Sequence, residues 1–243
     1  METNKQKRLP DKIIKLIQKG VHIPQPGSVY IGEEVSPDRI SGKDVFLHAS
    51  TRITGSRTLI CSGVRMGKEA PVTAEDCIIG PNASLNGGYF RSSVFLADVS
   101  VGSGAQVREG CILEEHASCA HTVGLKQTIL FPFVTLGSLI NFCDCFMAGG
   151  TSRRNHSEVG SSYIHFNYTP NQDKATPSML GDVPSGVMLR QPPIFLGGQG
   201  GLVGPARIGY GTVIAAGTIY NGDCPEGGKL LRSANHAMQE KNF

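Results

Sequence analysis

Ser152-Arg153-Arg154-Asn155-His156 sets an imidazole two residues beyond a pair of guanidinium groups. A histidine changes protonation near neutral pH and can take a proton from an attacking nucleophile. Fixed arginines hold phosphate or carboxylate through paired donors, and Lys174 adds a third cation nearby. Together these side chains suit a reaction in which an anionic acceptor loses a proton as it attacks. The same five residues equally suit a solvated turn, and Arg153-Arg154 a salt-bridge pair across an interface. Asn167-Tyr168, at the mouth of a Pro-rich stretch, reads as a binding pair or as a ladder that stabilises the chain locally. His165 reads as a packed or subunit-contacting residue. His48, His116 and His121 sit in no motif and read as surface; the five-residue step from His116 to His121 does not repeat a zinc-site pattern.

These residues lie inside a strongly periodic chain. Leu196, Leu202, Ile208, Ile214 and Tyr220 stand six apart, and so do Phe95, Val101, Val107, Leu113 and Cys119. Small residues follow four places on: Gly200, Ala206, Thr212 and Thr218 in one run, Ala105 and Ala117 in the other. Such hexads build a parallel β-helix of triangular section, with the large residue pointing inward and the small one at a corner. Turns in an antiparallel sheet would fall every ~8–12 residues. The fold expected is all-β: a parallel β-helix with short N- and C-terminal helices.

The helices bracket the repeats. Residues 1–20 carry an amphipathic helix, with Pro10 early, Leu9, Ile13, Leu16 and Ile17 as its stripe and Gly20 as its stop. Its stripe is expected to cap the open end of the prism or to pack on a neighbouring subunit. Its basic face (Lys12, Lys15, Lys19) reads as solvated or as a membrane contact. The β-helix is expected over 21–224, with insertions near 66–76 and 86–93 and a long loop at 167–193. A second helix is expected over 225–243.

Composition excludes some classes. The 243 residues include 31 Gly, 14 Pro and no Trp, which suits narrow corners. A formal net charge of +3 is too mild to argue for nucleic acid. No apolar run approaches the ~20 residues of a membrane span, and the start lacks an apolar core and cleavage site. A cytoplasmic protein is therefore expected. The seven scattered cysteines read as reduced thiols, several of them acting as small hydrophobes, and no metal site is expected.

From Phe195 to Thr218 the sequence FLGGQGGLVGPARIGYGTVIAAGT, with His165-Phe-Asn-Tyr168 before it, resembles the hexapeptide-repeat acyltransferases. It is most similar to the acetyltransferase domain of the bifunctional enzymes that make UDP-N-acetylglucosamine. That resemblance implies a left-handed coil, a homotrimer with active sites between prisms, acetyl-CoA as cosubstrate and an amino-sugar phosphate or nucleotide sugar as acceptor. It also implies that Asn167 and Tyr168 line the sugar and acetyl site, that Lys174 binds substrate phosphate, and that Ala216 offers its backbone to coenzyme A. Gly198 stands where the family has a serine near the acyl carrier. Ser152–His156 looks like a family element that supplies the general base, with Arg153 and Arg154 beside it, although eleven residues from His156 to Asn167 is a shifted frame. The family's nucleotidyltransferase domain has no counterpart here, so no uridylyl transfer is expected of this chain alone. The rival reading is a catalytically silent β-helix that binds a sugar nucleotide or serves as a trimeric scaffold. The shifted histidine and Gly198 favour it.

Overall fold

The structure, a computed structural model, describes residues 9–168, 170, 176–186 and 191–233. The chain winds as a parallel β-solenoid of about 11 turns, consistent with the left-handed coil that the resemblance implies. The first wall is a ten-stranded parallel sheet from Phe46–Leu47 to Leu230–Leu231. The second wall runs from Tyr30–Ile31 through Ala105–Val107 and Tyr163–Asn167 to Ile219–Asn221. The third wall runs from Leu59–Ile60 through Val94–Phe95 to Arg207–Ile208. Two long strands, Val123–Leu130 and Ile140–Met147, cross from second wall to third and join them in one sheet.

Each short strand points one residue out and one in. On the first wall Leu47, Met66, Leu85, Val101, Leu136, Val159, Leu196 and Ile214 stack in register with almost no exposure. Burying such a side chain contributes roughly 1.5–3 kcal/mol, so the hexad repeat carries most of the core. Corners demand a left-handed residue. Asn82, Asp98, His116 and Phe133 supply it between third and first walls, at φ of 59, 59, 60 and 65°. Asn and Asp tolerate this; for Phe133 it is a strained position that the stacked coils impose.

The N-terminal helix, α1, spans Asp11–Lys19 and ends on Gly20 at φ 105°. Ile13 and Leu16 close the end of the prism. The lysines read as a solvated face have a more specific job. Lys12 Nζ donates to the carbonyls of Gly32 and Val35 at 2.8 and 3.1 Å, and Lys19 Nζ to those of Ile40 and Pro37 at 2.6 and 3.0 Å. They satisfy first-coil carbonyls that would otherwise present an open sheet edge.

Three sequence expectations change. The stretch near 66–76 does hold an insertion, since inward Ala74 follows inward Met66 by eight residues instead of six; the stretch near 86–93 does not, since inward Phe90 follows Leu85 by five and Gly88–Arg91 pairs with Val72–Glu75. These spacings break the sixfold beat, and small Ala74 lies in register with large Phe90. The loop at 167–193 is two excursions, because Ser178–Leu180 returns as a third-wall rung between Cys145–Met147 and Arg207–Ile208. The second helix does not begin at Pro225. Gly227 and Gly228 take φ of 69 and 62°, against helix, and Leu230–Leu231 then pairs with Val213–Ile214 as the last first-wall rung; the remainder of that expected helix, 234–243, lies outside the described residues.

Candidate active site

The candidate residues fall on three different edges of the prism. His156 and the two arginines lie where the third wall turns into the first, in the segment between Ile140–Met147 and Glu158–Val159. His156 Nε2 is 3.8 Å from Glu158 Oε2 with its side chain 15% exposed, and its Nδ1 is buried without a hydrogen-bond partner. Arg153 binds this segment to two earlier coils. It donates to Ser118 Oγ at 3.0 Å, to Thr135 Oγ1 at 3.3 Å and to the carbonyl of His116. Its guanidinium also lies 6.0 Å from the Phe133 ring, which stacks on His116. Arg154 points to solvent.

Asn167 and Tyr168 lie on the edge between second and third walls. Asn167 is buried and its amide is committed. Nδ2 donates to the carbonyls of Thr176 and Asp144 at 2.6 and 3.3 Å, and Oδ1 accepts from Ser178 Oγ at 3.0 Å. Ser178 Oγ in turn accepts from the Ala206 N–H at 3.0 Å. This is the ladder reading of Asn167: it replaces backbone bonds that are lost where the chain leaves the prism. Tyr168 is 65% exposed at the rim. Lys174 lies outside the described residues.

His165 occupies an inward position, in register between Phe142 and Leu202. It is fully buried, and neither ring nitrogen has a well-formed hydrogen bond. Burial pushes its pKa down to about 4, the backbone of Cys143 offsetting part of the shift. The imidazole is neutral and walled in. Burial likewise pushes Cys77 up to about 11 and Cys111 and Cys119 up to about 12, so these thiols are inert.

Gly198 and Ala216 lie on the remaining edge, between first and second walls. Here the coils touch backbone to backbone. A Cβ on Gly197 would come within 2.3 Å of the Ala216 nitrogen, and one on Gly160 within 2.4 Å of the Gly198 nitrogen. Glycine is therefore required there for coil-on-coil packing; Gly197 is buried, Gly160 and Gly198 are half-buried, and Ala216 is exposed. Down the same edge the corner residues become Ser161, Ser138 and His121, joined by short bonds. The Ser138 N–H donates to Ser161 Oγ at 3.0 Å, and Ser138 Oγ lies 3.1 Å from His121 Nδ1.

Beside this edge, on the outer face of the second wall, lies an open groove of about 450 Å³. Arg108, Lys126, Gln106 and Asn141 supply its polar lining, and Leu139 and Ile164 its apolar lining. Lys126 Nζ is 3.3 Å from Glu109. Glu109 is held below the usual carboxylate range, chiefly by its own N–H and then by Lys126. Sequence reading missed this set. Its signal was available: Arg108 and Lys126 are eighteen residues apart, one turn of three hexads, so two cations stack on one face. A groove with stacked cations, amides and an aliphatic rim can hold an anionic polyol.

Fold and groove together define a hexad β-helix with an open groove on its outer wall. Comparison with known proteins narrows the class. The chain is similar to the bifunctional protein GlmU of Thermotoga petrophila, 29% identical over 229 residues, which is 94% of this chain and 46% of that protein. GlmU of Pelobacter propionicus is 28% identical over 226 residues, covering 93% of this chain and 44% of the relative. GlmU of Carboxydothermus hydrogenoformans is 27% identical over 225 residues, covering 93% and 45%. The chain thus spans about half the length of the curated relatives it matches. No protein-family model matches it. The similarity along nearly the whole chain, with the β-solenoid, fits a hexapeptide-repeat acyltransferase. Among the described residues no helix is long and apolar enough to cross a membrane.

Proposed function

We propose that this chain transfers an acetyl group from acetyl-CoA to an anionic amino sugar, either a sugar phosphate or a nucleotide sugar, in a step related to UDP-N-acetylglucosamine synthesis. What supports this reading is the similarity along nearly the whole chain to GlmU proteins, together with a second-wall groove lined by Arg108 and Lys126. Coenzyme A lies along the edge between first and second walls, with the backbone at Gly198 and Ala216 as the close-approach positions that the resemblance implies. The acceptor's phosphate meets Arg108 and Lys126, and its ring lies against Asn141 and Ile164. Attack on the thioester is direct and needs no covalent intermediate.

The working form is a homotrimer. An apolar file along the outer third wall (Leu59, Ile78, Val94, Ile112, Ile129) supports self-association, since contiguous apolar surface on a soluble protein marks an interface. Packing prisms brings edges of neighbouring copies together. That packing would carry His156, Arg154 and Tyr168 towards this groove from a neighbouring copy. Arg153 and Asn167 are spoken for structurally, which favours the second reading, a sugar-nucleotide binder without turnover.

Thiol release from acetyl-CoA in the presence of glucosamine 1-phosphate or a UDP-amino sugar tests the two. Arg108→Gln should raise KM for a phosphorylated acceptor by ~10–100-fold, the loss of a charged hydrogen bond of ~1.5–3 kcal/mol. In a melting experiment a ligand at ~100 times its Kd stabilises by roughly 2.7 kcal/mol. A response to a sugar nucleotide and none to coenzyme A would leave only the binder. Analytical ultracentrifugation giving a monomer would remove the shared-site arrangement.

A further inference from the structure

We infer that the second-wall groove takes a nucleoside diphosphate sugar and not a sugar monophosphate: Arg108 and Lys126 hold its diphosphate, and its base lies over Gly124 with Gln106 at its edge. The inference deepens the reading above by choosing between its two acceptors, and rests on it only for what happens to the sugar.

The groove is longer than a sugar phosphate needs. Its outward residues come from four successive coils in register: Gln106, Gly124, Asn141 and Ile164. At ~4.8 Å per coil they span about 14 Å along the prism. Its two halves differ. The N-terminal half, Gly104, Gln106, Thr122 and Gly124, is small and polar, whereas Leu139 and Ile164 raise exposed apolar side chains in the C-terminal half. Arg108 and Lys126 stand beside the middle. Val107 pairs with Leu125, so the cations that follow them lie one coil, ~4.8 Å, apart. That spacing suits two linked phosphates; a single phosphate leaves one cation unused. Lys126 is shared with Glu109, but the Arg108 guanidinium makes no hydrogen bond or ion pair among the described residues. The amides of Gln106 and Asn141 also lack a protein partner there, and each can both donate and accept.

Gly124 makes the room. It sits inside the strand Val123–Leu130 with no left-handed φ, where any residue fits. A Cβ there would meet no backbone closer than 3.9 Å; its nearest neighbour is Asn141 Oδ1, at 3.2 Å, on a side chain that can move. Neither backbone nor coil packing calls for glycine, in contrast to Gly160 and Gly197. A strand glycine of this kind marks the close approach of something else. With a flat base on Gly124, the diphosphate passes over Arg108 and Lys126 and the sugar continues against Asn141 and Ile164. Ile164 is in register with Gly201, so the sugar ends beside the coil that carries Gly198.

Calorimetric titration of the full chain with UDP, UMP, glucosamine 1-phosphate and coenzyme A decides. UDP should bind at least ~10-fold tighter than UMP or glucosamine 1-phosphate, because it alone occupies both cations. Arg108→Gln should weaken UDP ~10–100-fold and bring it level with UMP. Gly124→Val suits a strand and should melt like the wild type, yet weaken UDP at least ~10-fold. Gln106→Leu should weaken UDP ~2–10-fold, and it carries the test of the base contact if Gly124→Val does not fold. UDP binding no tighter than UMP, or unchanged in Gly124→Val and Gln106→Leu, would overturn the assignment. Coenzyme A displacing UDP with similar affinity would overturn it too, since the groove would then hold the coenzyme's own diphosphate. The acyl-transfer reading fails separately. UDP binding with these losses, and no thiol release on a UDP-amino sugar, leaves the groove assigned and ends acyl transfer. Thiol release with glucosamine 1-phosphate, and no affinity for UDP, does the reverse.

Discussion

The coils from Val94 to Met147 and the span from Ala148 to Ile208 are built from one repeat and held together differently. In the first, the inward file Phe95, Val101, Val107, Leu113, Leu125, Leu136 and Phe142 is apolar, and the fully buried Thr128 at a corner bonds the Lys126 and Phe142 carbonyls. In the second, two segments leave the prism, and buried polar side chains appear where they leave. Ser157 Oγ accepts from the Ile194 N–H at 3.0 Å and donates to the Gly149 carbonyl at 3.2 Å. Asn167 and Ser178 do the same on another edge. A solenoid ladder is continuous only while each coil lies on the next. Each excursion removes backbone partners, and a side chain must replace them or leave polar groups orphaned. The regular coils are stabilised by burial, the interrupted ones by burial plus specific bonds.

The largest effect should come from the regular side. Phe142→Ala leaves a cavity in a stack with little freedom to collapse and should cost ~3–5 kcal/mol in chemical denaturation. Asn167→Ala removes less volume but strands the Asp144 and Thr176 carbonyls, for ~1–3 kcal/mol. If Asn167→Ala proves neutral, the bonds at the exits are ornamental and the contrast fails.

The next effect is acid sensitivity from a buried imidazole, His165, in the interrupted span. Folded His165 has its pKa lowered to about 4 from 6.5. Below about pH 6.5 the unfolded chain takes a proton that the folded one refuses. Stability therefore falls as pH drops from about 6.5 towards 4, by on the order of 3 kcal/mol, and levels off below. His165→Leu, matched to its neighbour Leu202, should flatten this part of the curve without loss at neutral pH. Melting at several pH values checks it, and an unchanged slope would mean the imidazole has found a partner or water.

The smallest effect lies at the capped end. Lys12→Met keeps the stem of the side chain and removes its hydrogen bonds to first-coil carbonyls, for about 1 kcal/mol. Fraying should be confined there, read as faster amide exchange in the first coil and α1.

Much of the fold was legible because hexads are local. Which residue points inward follows from its place in six, and a run such as Leu196 to Ile214 needs no distant information. The helix stripe at Ile13 and Leu16 and its stop at Gly20 were legible for the same reason. The beat was lost at Ala74 and Phe90, where inward residues stand eight and five apart instead of six, and at Leu230–Leu231, where a partner strand decides between helix and extended chain. The site was legible only in fragments. His156 and Asn167 are eleven residues apart, and the sequence invites them into one site. The strands Glu158–Val159 and Tyr163–Asn167 lie between, on two successive walls, so the chain turns two corners and parts them.

The sequence by itself determined the period, the inward file and the glycine-rich edge, because each follows from side-chain size at fixed spacing along one strand. Only the tertiary structure decided which edge each polar residue occupies. Edge position depends on the summed lengths of all intervening coils and excursions, so it brought together Arg108, Lys126, Asn141 and Ile164, which no local pattern joins.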